Sequence, residues 1–295
     1  MNTYFELFLE ATIGYFNWFI GQITFSSSQG LWGNYFYFLI IVSLLFFGLE
    51  LAKPWRKNQP KFRQDFWLDA FYMLFNFFLF SIVAFAGVSQ VGVELLNDFL
   101  ALFGIKNLVA IQVGALPAWI QLVLLFVVKD FIEWMIHRLL HWSPWLWEFH
   151  KVHHSVKQMG FAAHLRFHWM ENVVYKSLEY IPLALIGFSL SDFFLVHAIA
   201  IAIGHWNHAN FNVNIGPFKY LFNNPAMHIW HHAKELPNDH KYGVNFGLSL
   251  SIWDYLFGTS YIPRDGKDIE LGFPDDENFP KTFIDQNLNG LGLKK

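Results

Sequence analysis

Ten of the fourteen histidines in this 295-residue chain fall into four tight groups: His137 and His141; His150, His153 and His154; His205 and His208; His228, His231 and His232. Apart from the adjacent pairs, the spacing within each group is three or four, which on a helix turns the imidazoles to one face. Imidazole is a ligand for iron, copper, nickel and zinc, and ten exceed the roughly four to six positions of a single ion. Two ions sharing one site is the natural count. Adjacent histidines such as His153 and His154 point about 100 degrees apart on a helix, so one can face each ion, giving five ligands apiece. A lone histidine is more often a packed polar group than a ligand. Two HxxHH elements together with HxxxH and HxxH reverse that expectation.

The elements that position these residues belong to an unusually apolar chain. It is 54% hydrophobic and 20% aromatic, with only 15% charged residues, 35 Phe and 13 Trp. Ordinary soluble domains carry about 25% charged residues, so the composition predicts a membrane protein. The net charge of -3 says little about partners and no basic run suggests nucleic acid, whereas the absence of cysteine excludes disulfides, thiolate ligands and iron-sulfur clusters. Any metal must be bound through nitrogen and oxygen.

The expected fold class is all-α: an integral membrane helical bundle of three to four spans plus a re-entrant helical hairpin, under a histidine-rich cytoplasmic helical cap. Tyr35 to Leu51, Phe66 to Val88 and Leu116 to Ile136 read as spans, because a bilayer core of ~30 Å needs roughly 20 helical residues. Tyr4 to Ile20 is amphipathic and is expected to lie along the interface rather than span. It lacks the positive start of a removable secretory signal and carries Glu6 and Glu10. Residues 178 to 204 are apolar but broken by Pro182, Gly187 and Ser189 to Asp192, which predicts a hairpin that enters the membrane and returns.

Lys53, Arg56, Lys57, Lys61 and Arg63 crowd the loop between the first two spans and assign it to the cytoplasm. The second span then leads out and the third leads back, so His137 emerges on the cytoplasmic side. A hairpin returns His205 and His208 to that same side, whereas a straight fourth span would separate the groups. The expected organisation is a membrane region over 1–124, a catalytic region over 125–262 that includes the hairpin, and a tail over 263–295, loop or partly disordered.

The order of motifs resembles the fatty acid hydroxylase and sterol desaturase superfamily of membrane di-iron oxygenases. The resemblance covers roughly residues 125 to 262. Its elements are Asp130 through His137-Arg-Leu-Leu-His141, Trp147-Glu-Phe-His150-Lys-Val-His-His154-Ser155, Arg166-Phe-His168-Trp-Met-Glu171, His205-Trp-Asn-His208-Ala-Asn210, Asn224-Pro-Ala-Met-His228-Ile-Trp-His-His232, Tyr242-Gly243, Trp253-Asp254 and Phe257-Gly-Thr259. It implies that the ten histidines ligate two iron ions, that O2 is co-substrate, and that a bilayer lipid is oxidised. Trp169 and Lys241 stand where the family often has Pro and Asn, which puts in doubt the surroundings of the ligands rather than the ligands. No cytochrome b5-like domain is evident, so a separate electron donor, a cytochrome b5-like protein or a ferredoxin, is expected. Hydroxylation is the first expectation; desaturation and ether cleavage are the alternatives within the family, and a metal transporter or a bis-histidine haem protein outside it. The membrane would be the inner membrane of a bacterium or, in a eukaryote, the endoplasmic reticulum.

Several neighbours of the boxes invite roles. Asp130 lies two turns before His137 and is a candidate to orient a ligand imidazole, against a salt bridge with Lys129 or Arg138. Glu133 suits an interfacial ion pair or a metal role equally. Arg166, His168 and Glu171 form a polar helical group in which His168 either reaches the site, directly or through water, or is plainly structural, and Asp254 is a candidate imidazole partner, against a helix or turn hydrogen bond. His164 is expected to flank the site, His197 to pack in the hairpin and His240 to be exposed. Asn210 either bonds a ligand or ends its helix.

Overall fold

A computed structural model describes residues 2–26, 34–80, 87, 89–105, 113–186, 188 and 190–292. Regular structure among them is helical, apart from isolated bridges between Phe222 and Leu250 and between Ala233 and Leu271. The principal helices are α1 (Asn2–Ile23), α2 (Tyr35–Ala52), α3 (Phe66–Leu74), α4 (Ser89–Ala101), α5 (Ala118–Trp142), α6 (Pro144–His154), α7 (Trp169–Ile186), α8 (Leu190–His208), α9 (Pro225–His231), α10 (Ile252–Leu256) and α11 (Phe283–Leu288).

Of the expected spans, α2 alone among the described helices is long and apolar enough to cross a membrane, with a mean hydropathy of 2.1 and only 17% of its residues buried. Its outer face presents Ile41, Leu44 and Leu45. The second expected span forms as α3 continued by a π-helical turn (Phe75–Leu79), while its residues 81–86 and 88 lie outside the described residues. The third, α5, is 25 residues long and carries Lys129, Asp130 and Glu133 in its middle, which lowers its apolarity. Those charges are answered inside the protein. Lys129 pairs with Glu133 and, at 3.2 Å, with Glu179 of α7, and Asp130 accepts hydrogen bonds from the chain at 249–253. Glu133 therefore stands in an ion pair rather than beside the histidines.

The stretch expected to form the hairpin falls in α7 and α8, both packed on α5. α7 starts nine residues before that stretch, because its polar first turns face the protein: Glu171 is 2% exposed. The expected break at 187 and 189 lies outside the described residues. α1 packs against α2 and α4 and leaves Phe5, Leu9, Ile13, Phe16 and Ile20 exposed.

Two short helices that carry histidines begin in the same way. Ser143 caps α6 by accepting from the Leu146 amide at 3.4 Å, and Asn224 caps α9 by accepting from Met227 at 3.2 Å. In each case proline follows as the first helical residue, where its missing N–H costs nothing. The break at Ser143-Pro144 folds α6 back against α5, which brings His150 opposite His137.

The tail is largely loop, as expected, but it is docked rather than loose. Asp276 is buried and paired with Lys157 and Lys234, Gln286 accepts from Tyr72, and Asn289 donates to the Glu148 carbonyl. Polar anchoring of this kind has no hydrophobic periodicity, so sequence pattern gives no sign of it.

Candidate metal centre

The helix ends and loops bring nine of the ten expected histidines into two adjoining groups. His137, His141, His150, His154 and His231 form one; His153, His208, His228 and His232 form the other. Within each group the candidate ligand nitrogens all lie within 4.8 Å of one another. Each adjacent pair is divided: His154 and His231 face the first group, His153 and His232 the second. The groups touch, with the His154 and His232 rings stacked at 4.5 Å.

His205 stands outside both groups. Its Nδ1 lies 2.9 Å from Nδ1 of His164 and its Nε2 lies 3.2 Å from the Ser43 hydroxyl. The expected division of five and five becomes five and four. The reason is rotational: at the end of α8, His208 faces inward, and a residue three positions earlier turns toward α2. His164 does flank the site, its ring 5.3 Å from that of His208.

The donor set fits cations. His137 donates Nδ1–H to the Phe246 carbonyl at 2.8 Å, His231 to that of Val244 at 2.8 Å, His208 to that of Gly204 at 2.8 Å and His153 to that of Arg166 at 3.1 Å. A neutral ring so engaged turns a bare Nε2 inward. Nε2 of His137 lies 3.1 Å from that of His150, and Nε2 of His208 lies 3.3 Å from that of His153. Facing lone pairs cannot bond each other, whereas two nitrogens about 2.1 Å from one ion sit about 3.0 Å apart across a right angle. Nε2 of His141 is buried with no hydrogen-bond partner among the described residues.

Burial also keeps the rings neutral, as ligands must be. It pushes the His153 imidazole down to about 3 and holds His154, His231 and His232 well below their ordinary range. Glu171, which accepts from Nδ1 of His150 at 2.7 Å, is pushed well above the carboxylate range by the same burial. A charged carboxylate is favoured there beside positive charge, which an ion on His150 would supply.

The candidates near the boxes take different places from those expected. Asp130 touches no imidazole; it accepts from the amides of Ser249 (2.8 Å) and Leu250 and from the Trp253 indole (2.9 Å). Asp254 likewise bonds no imidazole, but accepts from the amides of Phe246 (2.9 Å) and Gly247 (2.8 Å), the Trp134 indole and the Thr259 hydroxyl. Both carboxylates are buried in a region rich in N–H donors, and both clamp onto α5 the loop whose Val244 and Phe246 carbonyls hold His231 and His137.

His168 points away from the groups, its Nε2 donating to the Asn287 carbonyl at 2.8 Å and its Nδ1 accepting from the Met170 amide, with burial pushing it down to about 4. Arg166 bridges Asp65, Asp69 and Ser155. Asn210 bonds the backbone of Arg56, not a ligand. His197 stacks on Phe77, and His240 packs on Tyr261. Sequence reading missed Glu171 as the partner of His150; its place three residues after His168 was the available signal. The carbonyls of Val244 and Phe246 leave no trace in residue type.

Residues 122–259 match the family model for fatty acid hydroxylase. The chain is 36% identical over 156 residues to an ornithine lipid hydroxylase of Rhizobium tropici, covering 53% of this chain and 46% of that one. It is 29% identical over 146 residues to an alkylglycerol monooxygenase of Xenopus tropicalis (49% and 31%) and 26% identical over 143 residues to a methylsterol monooxygenase of Arabidopsis thaliana (47% and 46%). The matched segment spans less than half the length of each of these relatives. No solved structure matches the chain significantly. The matched residues 122–259 contain both histidine groups, so the likeness to fatty acid hydroxylase falls on the segment that carries the candidate metal centre.

Proposed function

We propose that this protein is a membrane-embedded di-iron enzyme that hydroxylates a C–H bond of a lipid, using O2 and electrons from a separate donor. The observation that carries the reading is the pair of imidazole groups with facing bare nitrogens inside the segment that matches fatty acid hydroxylase. Iron suits an all-nitrogen donor set with no thiolate. The five-histidine group would hold one ion and the four-histidine group the other. The chemistry a bound iron pair supplies is two-electron activation of O2, which turns R–H, O2, two electrons and two protons into R–OH and water.

The chain's own residues fix where that happens. Glu171 and the carbonyls of Arg166, Gly204, Val244 and Phe246 orient the ligand rings, and Asp130 and Asp254 hold the loop that supplies two of those carbonyls. The buried surround excludes water, so reductant is spent on the substrate carbon. The ornithine lipid hydroxylase likeness supports hydroxylation and a lipid substrate.

A bilayer setting is supported by the apolar α2 and by the exposed apolar faces of α1 and α2. In this reading α2, α3 with its continuation, and α5 cross the membrane, α7 and α8 form the re-entrant hairpin, and both histidine groups face the cytoplasm. The membrane is the inner membrane of a bacterium.

Metal analysis with an optical spectrum tests the reading. About two irons per chain and no Soret band are expected; a Soret band, or loosely held and rapidly exchanged metal, overturns it. Comparing the lipids of cells with and without the active protein identifies the substrate as a species gaining one oxygen atom. An unchanged lipid profile in cells whose protein carries both irons counts against a lipid substrate.

A further inference from the structure

A cleft of about 550 Å³ opens beside the five-histidine group, between the last turns of α5 and the chain from Asp239 to Phe246. Its wall toward the metal centre is thin. Gly243 has φ +102° and lies so close that a Cβ there would come within 3.0 Å of Nδ1 of His141. The Phe246 ring lies 5.1 Å from that of His141. His141 is also the one member of the two groups that is only partly buried.

The lining is amphiphilic. From α5 come Met135, Leu139 and Trp142, with Met135 44% and Trp142 61% exposed. Two cations stand over aromatic rings at the rim: Arg138 lies 4.8 Å from the Trp134 ring centre and Lys241 lies 5.2 Å from that of Tyr242. Neither is ion-paired among the described residues, and the one carboxylate in the lining, Asp239, faces His240 at 4.0 Å. Two uncommitted cations therefore outnumber one carboxylate, over an apolar floor continuous with the surface of α5.

We propose that this cleft binds the head group of an anionic lipid, phosphate or carboxylate, between Arg138 and Lys241, with the start of its acyl or alkyl chain along Met135, Leu139 and Trp142. A guanidinium and an ammonium match the charge of such a head group. A small free anion would leave the apolar floor in water, whereas an amphiphile covers it. The proposal deepens the lipid-oxidising reading and rests on it for the claim that the bound lipid is substrate, since the cleft abuts His141. Binding itself does not depend on turnover.

The test is a titration of the purified, metal-loaded protein in dodecyl maltoside with dihexanoyl phosphatidylglycerol, dihexanoyl phosphatidylcholine and inorganic phosphate, read by calorimetry. Phosphatidylglycerol is expected to bind roughly tenfold more tightly than phosphatidylcholine. The double variant Arg138→Gln, Lys241→Gln should erase that preference at unchanged iron content. The control Lys57→Gln, Lys61→Gln, in the exposed loop between α2 and α3, should keep it. Equal binding of the two lipids, phosphate binding as tightly as phosphatidylglycerol, or equal loss in the control overturns the proposal. Iron content is measured in the same samples: a protein without iron that still prefers phosphatidylglycerol sinks the oxygenase reading and leaves the cleft standing.

Discussion

The five-histidine group is braced along most of its outer rim, and the four-histidine group along half of it. In the first, His137, His150 and His231 each give their Nδ1 to a fixed oxygen, and His141 bonds the backbone of Tyr242. In the second, His153 and His208 are so held, but the buried Nδ1 atoms of His228 and His232 have no hydrogen-bond partner among the described residues. An outer hydrogen bond fixes the tautomer and orientation of a ligand ring and raises its basicity. At His228 and His232 only a bound ion would perform that task. The second group is thus the more adaptable half, and an ion there would be the more weakly held.

The largest effect that tests this contrast is loss of a ligand. His231→Ala should remove the ion of the five-histidine group and His232→Ala that of the four-histidine group, each abolishing turnover and lowering metal from two ions per chain. Full activity in both variants would break the assignment.

Next in size, Glu171→Gln should lower metal affinity or turnover by about 10- to 100-fold, because the amide is a poorer acceptor for the proton of His150. Wild-type values would show that bracing of the first group has no weight. Removal of metal by a chelator should then be biphasic, the ion of the four-histidine group lost several-fold faster than that of the five-histidine group, and Glu171→Gln should bring the two rates together. Single-phase loss from the unmodified protein would erase the proposed difference.

Smaller effects belong to the clamps. Asp254→Asn should reduce turnover about tenfold with most of the metal retained, since one carboxylate holds both the Phe246 and Gly247 amides. Asp130→Asn should do less, because its partners at 249–253 lie further from the carbonyls that hold His137 and His231. Smallest of all, His205→Ala should keep both ions by metal analysis; loss of one would restore a tenth ligand.

How much of this was readable in advance depended on what each feature asks of the chain. Histidine spacing is a local signal, and a helix converts it directly into shared faces, so the metal groups and the division of His153 from His154 were accessible from sequence. His205 was not separable from His208 by spacing, because HxxH leaves open which of its two rings faces inward. Asp130 and Asp254 were marked as unusual by their setting, yet their partners are backbone amides more than a hundred residues away or across a loop, and amides carry no residue signature. The α5 helix was recognised by length, but its charges are tolerated only because Glu179 of α7 and the chain at 249–253 meet them.

The sequence by itself determined the chemistry available: nitrogen ligands without sulfur, in a number suited to two ions, on helices whose exterior is apolar. These are matters of residue type and local period. Only the tertiary structure decided which nine imidazoles converge, which oxygens orient them and which end of α5 is left open as a cleft. Those outcomes depend on rotation and contact between segments far apart in the chain, where packing and hydrogen bonding select one arrangement from many that the same spacing allows.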